Sequence, residues 1–283
     1  MRVKFLTLAL AATTAISTPA MAAEIGGGFS VSGNAAVTTD YRFRGVSFSD
    51  EDIAIQGGLD LEHESGFYAG IWGSSLEEDD DEILLFARPG LVQPEIYKAG
   101  NFGHTEIDIY VGWSGEISSG VGLDVGVLYY IYPNARNRTP VFTPCDPLTQ
   151  NCASSQGTFT GFTDFDTDYI EPYASLSYTI GPAELTTGIA YAPDQSAIGD
   201  DDNLYLYGDV GVGIPNTPIT INGHLGYTNG SLSADTDDDY LDWLIGIDVA
   251  VGPMTLGVAY VDTNAPDVPG LDATIVGTLG ISF

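Results

Sequence analysis

The chain has 283 residues, with 8 Lys and Arg against 39 Asp and Glu, a net charge of −31 and a sequence pI near 4.1. Such a surplus of acid repels phosphate backbones and excludes a nucleic-acid binder, which needs a basic face. A hydrophobic content of 44%, with 16 Tyr, 12 Phe and 3 Trp, excludes disorder, and 35 Gly without a three-residue period exclude collagen.

At the amino terminus Arg2 and Lys4 precede an apolar run from Phe5 to Ile16 and the small residues around Ala20 and Ala22. This is the layout of a secretory signal peptide, and the run is shorter than the roughly 20 residues a spanning helix needs. Residues 1–22 are expected to be cleaved, leaving 23–283 as one domain. Further on, the longest stretch free of Asp, Glu, Lys and Arg, Val210 to Ala234, is interrupted by Pro215, Pro218, Asn222 and His224. No transmembrane helix is expected.

The remaining chain alternates with period two, the mark of strands with one apolar and one polar face. From Phe29 to Phe43 the odd positions read Phe, Val, Gly, Ala, Val, Thr, Tyr, Phe, whereas the even ones include Ser30, Ser32, Asn34, Thr38, Asp40 and Arg42. The same template marks strands near 53–62, 67–74, 105–113, 121–132, 169–178, 184–192, 203–213, 219–227, 240–251, 254–262 and 273–283, twelve with the first. Their connections alternate. Long ones fall at 44–52, 75–104, 133–168, 193–202, 228–239 and 263–272; short ones, rich in Gly, Pro, Ser and Asn, at 63–66, 114–120, 179–183, 214–218 and 252–253. An even number of strands of about ten residues, with tight turns at one end and long loops at the other, describes an all-β antiparallel barrel of the bacterial outer membrane, with short periplasmic turns and long extracellular loops.

The faces agree. Outward positions such as Ile53, Ile55, Leu59 and Leu61, or Leu241, Trp243, Ile245, Ile247 and Val249, carry no ionisable group, whereas Asp40, Arg42, Asp60, Glu62, Glu106, Asp108, Asp124, Glu171, Asp209, Asp242 and Asp248 fall on inward faces, and His224 joins them. These twelve are the candidate pore-lining residues. Outward aromatics gather at two levels: Tyr41, Phe43, Tyr129, Tyr191, Tyr227, Trp243 and Tyr260 toward the long loops, Phe29, Phe67, Trp113, Tyr178 and Phe283 toward the short turns, as interfacial girdles require. The last strand alternates from Ile275 to Phe283 and ends on an aromatic residue, resembling the terminal strand that barrel-assembly machinery recognises.

Two blocks, Val37-Thr-Thr-Asp-Tyr-Arg-Phe-Arg-Gly-Val-Ser-Phe-Ser-Asp-Glu-Asp-Ile-Ala-Ile-Gln-Gly-Gly-Leu59 and Gly66-Phe-Tyr-Ala-Gly-Ile-Trp-Gly-Ser74, resemble the TorF-type porins of proteobacteria. Further echoes are Glu106-Ile-Asp-Ile-Tyr110, Tyr129-Tyr-Ile-Tyr-Pro133, Tyr169-Ile-Glu171, Ala190-Tyr-Ala-Pro-Asp194, His224-Leu-Gly-Tyr227 and Asp239-Tyr-Leu-Asp-Trp243. The resemblance covers nearly the whole chain after the leader and implies an outer-membrane porin, without a substrate.

Chemistry of other kinds has little footing. His63, His104 and His224 stand apart, without metal-ligand spacing or a nucleophile motif, so neither a metal nor a cofactor is expected. An enzyme built on Glu106 and Asp108 with His224 is the minor alternative. Cys145 and Cys152, an even pair in an exported chain, are expected to form a disulfide, either stiffening a loop over the pore mouth or stapling it against proteolysis. Acid runs at 50–52, 77–82, 200–202 and 235–239 read as solvated loop surface at the lipopolysaccharide level or as divalent-cation ligands. The reading that follows is a passive, narrow, cation-preferring channel for small hydrophilic solutes, with outer-membrane lipid and lipopolysaccharide as surroundings. Its rival is a closed barrel with a structural or surface-interaction role.

Overall fold

Alternate β-branched and aromatic residues, punctuated by Gly, Pro and Asn, suit a pleated surface with two unlike faces. The chain uses that pattern to close one sheet on itself. The computed structural model describes residues 22–77, 83–86, 95–98, 102–133, 135, 138–143, 158–164, 166–233, 239–265 and 270–283. Residues 1–21 of the expected leader 1–22, the pair Cys145 and Cys152, and all but Glu77 and Asp239 of the acid runs 77–82 and 235–239 lie outside them.

Twelve strands form the wall: β1 (Phe29–Thr38), β2 (Ala54–His63), β3 (Phe67–Ser75), β4 (Thr105–Ser118), β5 (Val121–Ile131), β6 (Tyr169–Ile180), β7 (Ala183–Gln195), β8 (Asp201–Gly213), β9 (Ile219–Gly230), β10 (Asp239–Val251), β11 (Met254–Thr263) and β12 (Thr274–Ser282). Each pairs antiparallel with its neighbours in chain order. β12 returns to β1, with Thr278 opposite Thr38 and Ser282 opposite Asn34. Beyond the strand, Gly33 N–H donates to the Phe283 carbonyl at 2.8 Å and Phe283 N–H to the Gly33 carbonyl at 3.0 Å. A short strand, Ala23–Gly26, takes the edge of β1 that β12 does not reach, with Ala23 opposite Val31.

Tight turns such as 181–182 and 252–253 alternate with longer connections. Two of those carry hairpins of their own, Ile83–Phe86 with Glu95–Lys98 and Arg138–Thr143 with Thr158–Asp164. The connection expected to be long at 193–202 is half strand: β7 runs to Gln195 and β8 begins at Asp201, joined through a single 3-10 turn at Ser196–Ile198.

The outer wall is an apolar band. Ile55, Phe67, Ile245 and Ile275 expose 62–65% of their surface, and neighbouring strands add Val, Leu and Ile at alternate positions. Tyr129, Tyr191, Tyr260, Phe29, Phe67, Tyr178 and Phe283 are exposed on this face, with Trp113, Tyr227 and Trp243 half-buried among them.

The first strand is a correction. It ends at Thr38 rather than running to Phe43, and Tyr41 and Phe43, expected on the lipid face, are 1% and 7% exposed. Period two continues through Asp40-Tyr-Arg-Phe-Arg, but there it belongs to a separate hairpin. Arg42–Phe43 pairs with Val46–Ser47 across Arg44 and Gly45, whose φ of 51° and 82° make the turn type that hairpins favour.

Candidate functional site in the barrel lumen

The hairpin lies inside the ring. The connection 39–53 starts between β1 and β2, yet its side chains meet strands all the way round. Tyr41 Oη donates to Glu106 Oε1 on β4 at 2.8 Å, and the Phe43 ring lies edge-on to Tyr130 of β5 at 5.9 Å. Arg44 Nη2 donates to both oxygens of Glu171 on β6 at 2.7 Å, and its guanidinium sits 4.2 Å over the Tyr205 ring of β8. Tyr240 of β10 donates to the Arg44 carbonyl at 2.9 Å. A Cβ on Gly45 would strike Thr263 of β11, so the tip abuts the wall there. A loop that touches β4, β5, β6, β8, β10 and β11 from within crosses the lumen.

Its internal bonds hold that shape. Asp40 accepts from Arg42 Nε and from Ser47 Oγ at 2.7 Å, while Arg42 Nη1 donates to the carbonyls of Gly270 at 2.8 Å and Asp272 at 3.2 Å, in the connection 264–273. Phe48 stacks on Phe102, which packs on Tyr132, and an aromatic cluster with Trp72, Tyr110 and Tyr169 surrounds it. Arg42 and Arg44 are the only Lys or Arg among the described side chains.

On the wall, tyrosines lie flat over glycines of adjacent strands. A Cβ on Gly70 would meet the Tyr110 ring, on Gly112 that of Tyr68, on Gly126 that of Tyr173 and on Gly188 that of Tyr207. Absence of a side chain at each glycine lets the ring lie along the wall instead of across the bore, with its hydroxyl delivered to a carboxylate. Tyr110 donates to Asp60 at 2.5 Å and Tyr68 to Asp124 at 2.6 Å. Sequence reasoning misses these pairings. The alternation of inward Gly with inward Tyr on neighbouring strands is the signal that carries them, and it needs the register to be known.

The candidate residues fall in two groups. Asp60, Glu106 and Asp124 bond tyrosine hydroxyls on β2, β4 and β5. Asp108, on β4 beside Glu106, is fully buried and neither of its oxygens has a partner, nor has Glu106 Oε2. By contrast Glu171 holds Arg44 and Asp40 holds Arg42, while His224 on β9 lies with Nδ1 2.6 Å from Asp209 and Nε2 3.1 Å from Asp242 and 2.8 Å from Tyr205 Oη. Asp248 accepts from Asn222 at 2.6 Å, and Glu62 is half-buried at the short-turn end of β2. His224 therefore partners β8 and β10, not Glu106 and Asp108, and Arg44, placed by the sequence reading in the connection 44–52 rather than among the candidate pore-lining residues, enters the site. Among the described residues, no group of three or more His, Cys, Asp or Glu is arranged to hold a metal ion. Toward the short turns the lumen opens into a polar recess lined by Ser114, Asp124, Ser175 and Ser177.

A profile of a family described as bacterial proteins of unknown function (Gcw_chp) matches residues 22–156 and 152–274, most of the chain. The chain belongs to this family. No curated protein matches it in sequence. Among solved structures it is similar to the KdgM porin in complex with disordered oligogalacturonate, at 7% identity and a TM-score of 0.46, over 89% of this chain and 97% of that one. It is also similar to the TodX deltaS2S3 mutant monoaromatic hydrocarbon channel, at 12% identity and 0.47, over 90% and 88%. A third is the loop L8 deletion mutant of OmpT, an outer membrane protein of Vibrio cholerae, at 11% and 0.39, over 90% and 98%. The closed ring of this Gcw_chp chain, seen in its own strand register, is what carries the fold.

Proposed function

We propose that the chain is an outer-membrane channel: a passive, narrow, cation-preferring path for small hydrophilic solutes, restricted in its long-loop half by the 39–53 connection. One observation carries the reading. The inner wall holds carboxylates and tyrosine hydroxyls from Asp124 and Asp209 up to Glu106, inside a band of exposed Leu, Ile and Val. Burying a charge costs several kcal/mol unless it is well paired, and an apolar filling would serve a merely structural barrel better. Residues set against their own stability mark function.

Cation preference is assigned to the wall of β2, β4 and β5. There Asp60, Asp124 and Glu106 bond tyrosines and Asp108 has no hydrogen-bond partner, whereas Glu171, Asp40, Asp209 and Asp242 are met by Arg44, Arg42 and His224. Low-dielectric walls of one sign concentrate counter-ions. The resemblance to TorF-type porins and the apolar outer band support an outer-membrane setting, with lipid and lipopolysaccharide outside and barrel-assembly machinery during biogenesis. No step of catalysis is assigned to any residue. The crossing loop favours a second reading, a closed barrel with a structural or surface role.

Planar-bilayer recording of the refolded protein separates the two. Intact protein should pass small cation-selective currents under a potassium chloride gradient, Asp60→Asn with Asp124→Asn should move the reversal potential toward zero, and replacing 41–48 by a short Gly-Ser link should raise conductance. Anion preference in the unmodified protein would overturn the selectivity. A barrel that conducts in neither form is the closed one.

A further inference from the structure

Arg44 sits in a setting that proteins build for guanidinium ligands. One carboxylate, Glu171, takes it through both oxygens; Phe43 and Tyr205 cover it at 4.7 Å and 4.2 Å; and Tyr130 Oη shares the same carboxylate at 3.1 Å. A carboxylate that meets one guanidinium nitrogen through both oxygens, with aromatic faces beside it, suits a planar cation, and Arg44 Nη1, buried without a partner, fills the setting incompletely. The cage is larger than Arg44 uses. Tyr169 faces Arg44, Glu171, Glu106 and Asp108 together, Asp108 also faces Tyr130 and Glu171, and three oxygens, Glu106 Oε2 and both of Asp108, are buried without a hydrogen-bond partner. Three carboxylates are thus set against one guanidinium, and that guanidinium is carried by the loop rather than by the wall.

We propose that the cage of Glu106, Asp108 and Glu171 with Tyr130, Tyr169 and Tyr205 is a binding site for a guanidinium-bearing organic cation, and that Arg44 occupies it as a tethered counterpart of that solute. A solute cation exchanges with Arg44 on Glu171 and brings further N–H donors to the orphan oxygens of Asp108 and Glu106. Exchange removes the contact that ties the loop to β6, so solute recognition and relief of the constriction are one event. This rests on the channel reading for its purpose and on the cage alone for binding.

The probe is agmatine, which joins a guanidinium to an ammonium, titrated against the full barrel folded in detergent and followed by the fluorescence of Trp72, which packs on Tyr41 in the same cluster. Arg44→Ala should bind agmatine at least about tenfold tighter than the unmodified protein, since the internal competitor is gone. Arg44→Ala with Glu171→Gln should lose that gain, and neutral glycerol should move neither. Equal affinity with and without Arg44, or a gain that survives Glu171→Gln, overturns the proposal. Should Arg44→Ala fail to fold, judged by the heat-modified gel shift of the barrel, Arg44→Lys takes its place in the same comparison, because a lysine loses the planar stacking on Phe43 and Tyr205 and competes less well. Binding without conductance sinks the channel reading and leaves the site standing; conductance without binding does the reverse.

Discussion

Gly45 offers a sharp test of the crossing loop. Its φ of 82° lies in the left-handed region, and a Cβ would meet Thr263 Cγ2 and lie 3.0 Å from Asp242 Cβ on the wall of β10 and β11. Gly45→Ala therefore incurs about 1 kcal/mol of backbone cost and about 1–3 kcal/mol of overpacking, in all about 2–4 kcal/mol against the loop's seated position. An equilibrium shifted by that amount changes roughly 30- to 900-fold. Gly252, in the turn between β10 and β11, is the control, with φ 63° and nothing near its Cβ position, so Gly252→Ala carries the backbone cost alone. Urea unfolding in lipid vesicles should rank Gly45→Ala as the less stable of the two, and bilayer recording should give it the higher open probability. Equal stability and equal gating in the two variants would refute the placement of the loop tip against β10 and β11.

Two further outcomes are expected. Ile245→Arg, on the exposed band, should destabilise the folded barrel by about 2–4 kcal/mol, whereas Thr220→Arg, on the inner face opposite Asp248, should be tolerated; equal losses in vesicle unfolding would mean that the faces are exchanged. Cysteine labelling of intact cells should reach the connections 76–104 and 132–168 but not 119–120 or 181–182, and labelled short turns would invert the topology.

Much of the wall is legible in the sequence because its physics is local. Ile55, Leu59 and Leu61 alternate with Gln56, Asp60 and Glu62, and that period alone places one set in lipid and the other inside. The loop is not, because Asp40-Tyr-Arg-Phe-Arg keeps the same period after the chain has left the sheet; Arg44-Gly45 between two alternating pairs is the turn signal, and without the fold it marks the start of a loop as readily as the tip of a hairpin. Partners across strands are hidden for another reason. Asp209 stands opposite His224 only once β8 and β9 are in register, and Arg44 meets Glu171 across 127 residues of chain. Composition locates the inward acids without telling which of them a cation already neutralises.

The crossing loop also bears on how such a ring can close. Thr38 and Thr278, partners at the seam, are 240 residues apart, and joining ends that far apart costs about 5 kcal/mol of chain entropy in a single step. Residues 39–53 divide that distance, since Tyr41 meets Glu106 after 65 residues, Arg44 meets Glu171 after 127, and Tyr240 meets Arg44 after 196. Each contact closes a shorter loop than the seam does, so with the loop seated less chain entropy remains to be lost when the seam closes. The segment that obstructs the finished bore thus also lowers the entropic cost of its seam, and shortening it to widen the passage gives up that contribution.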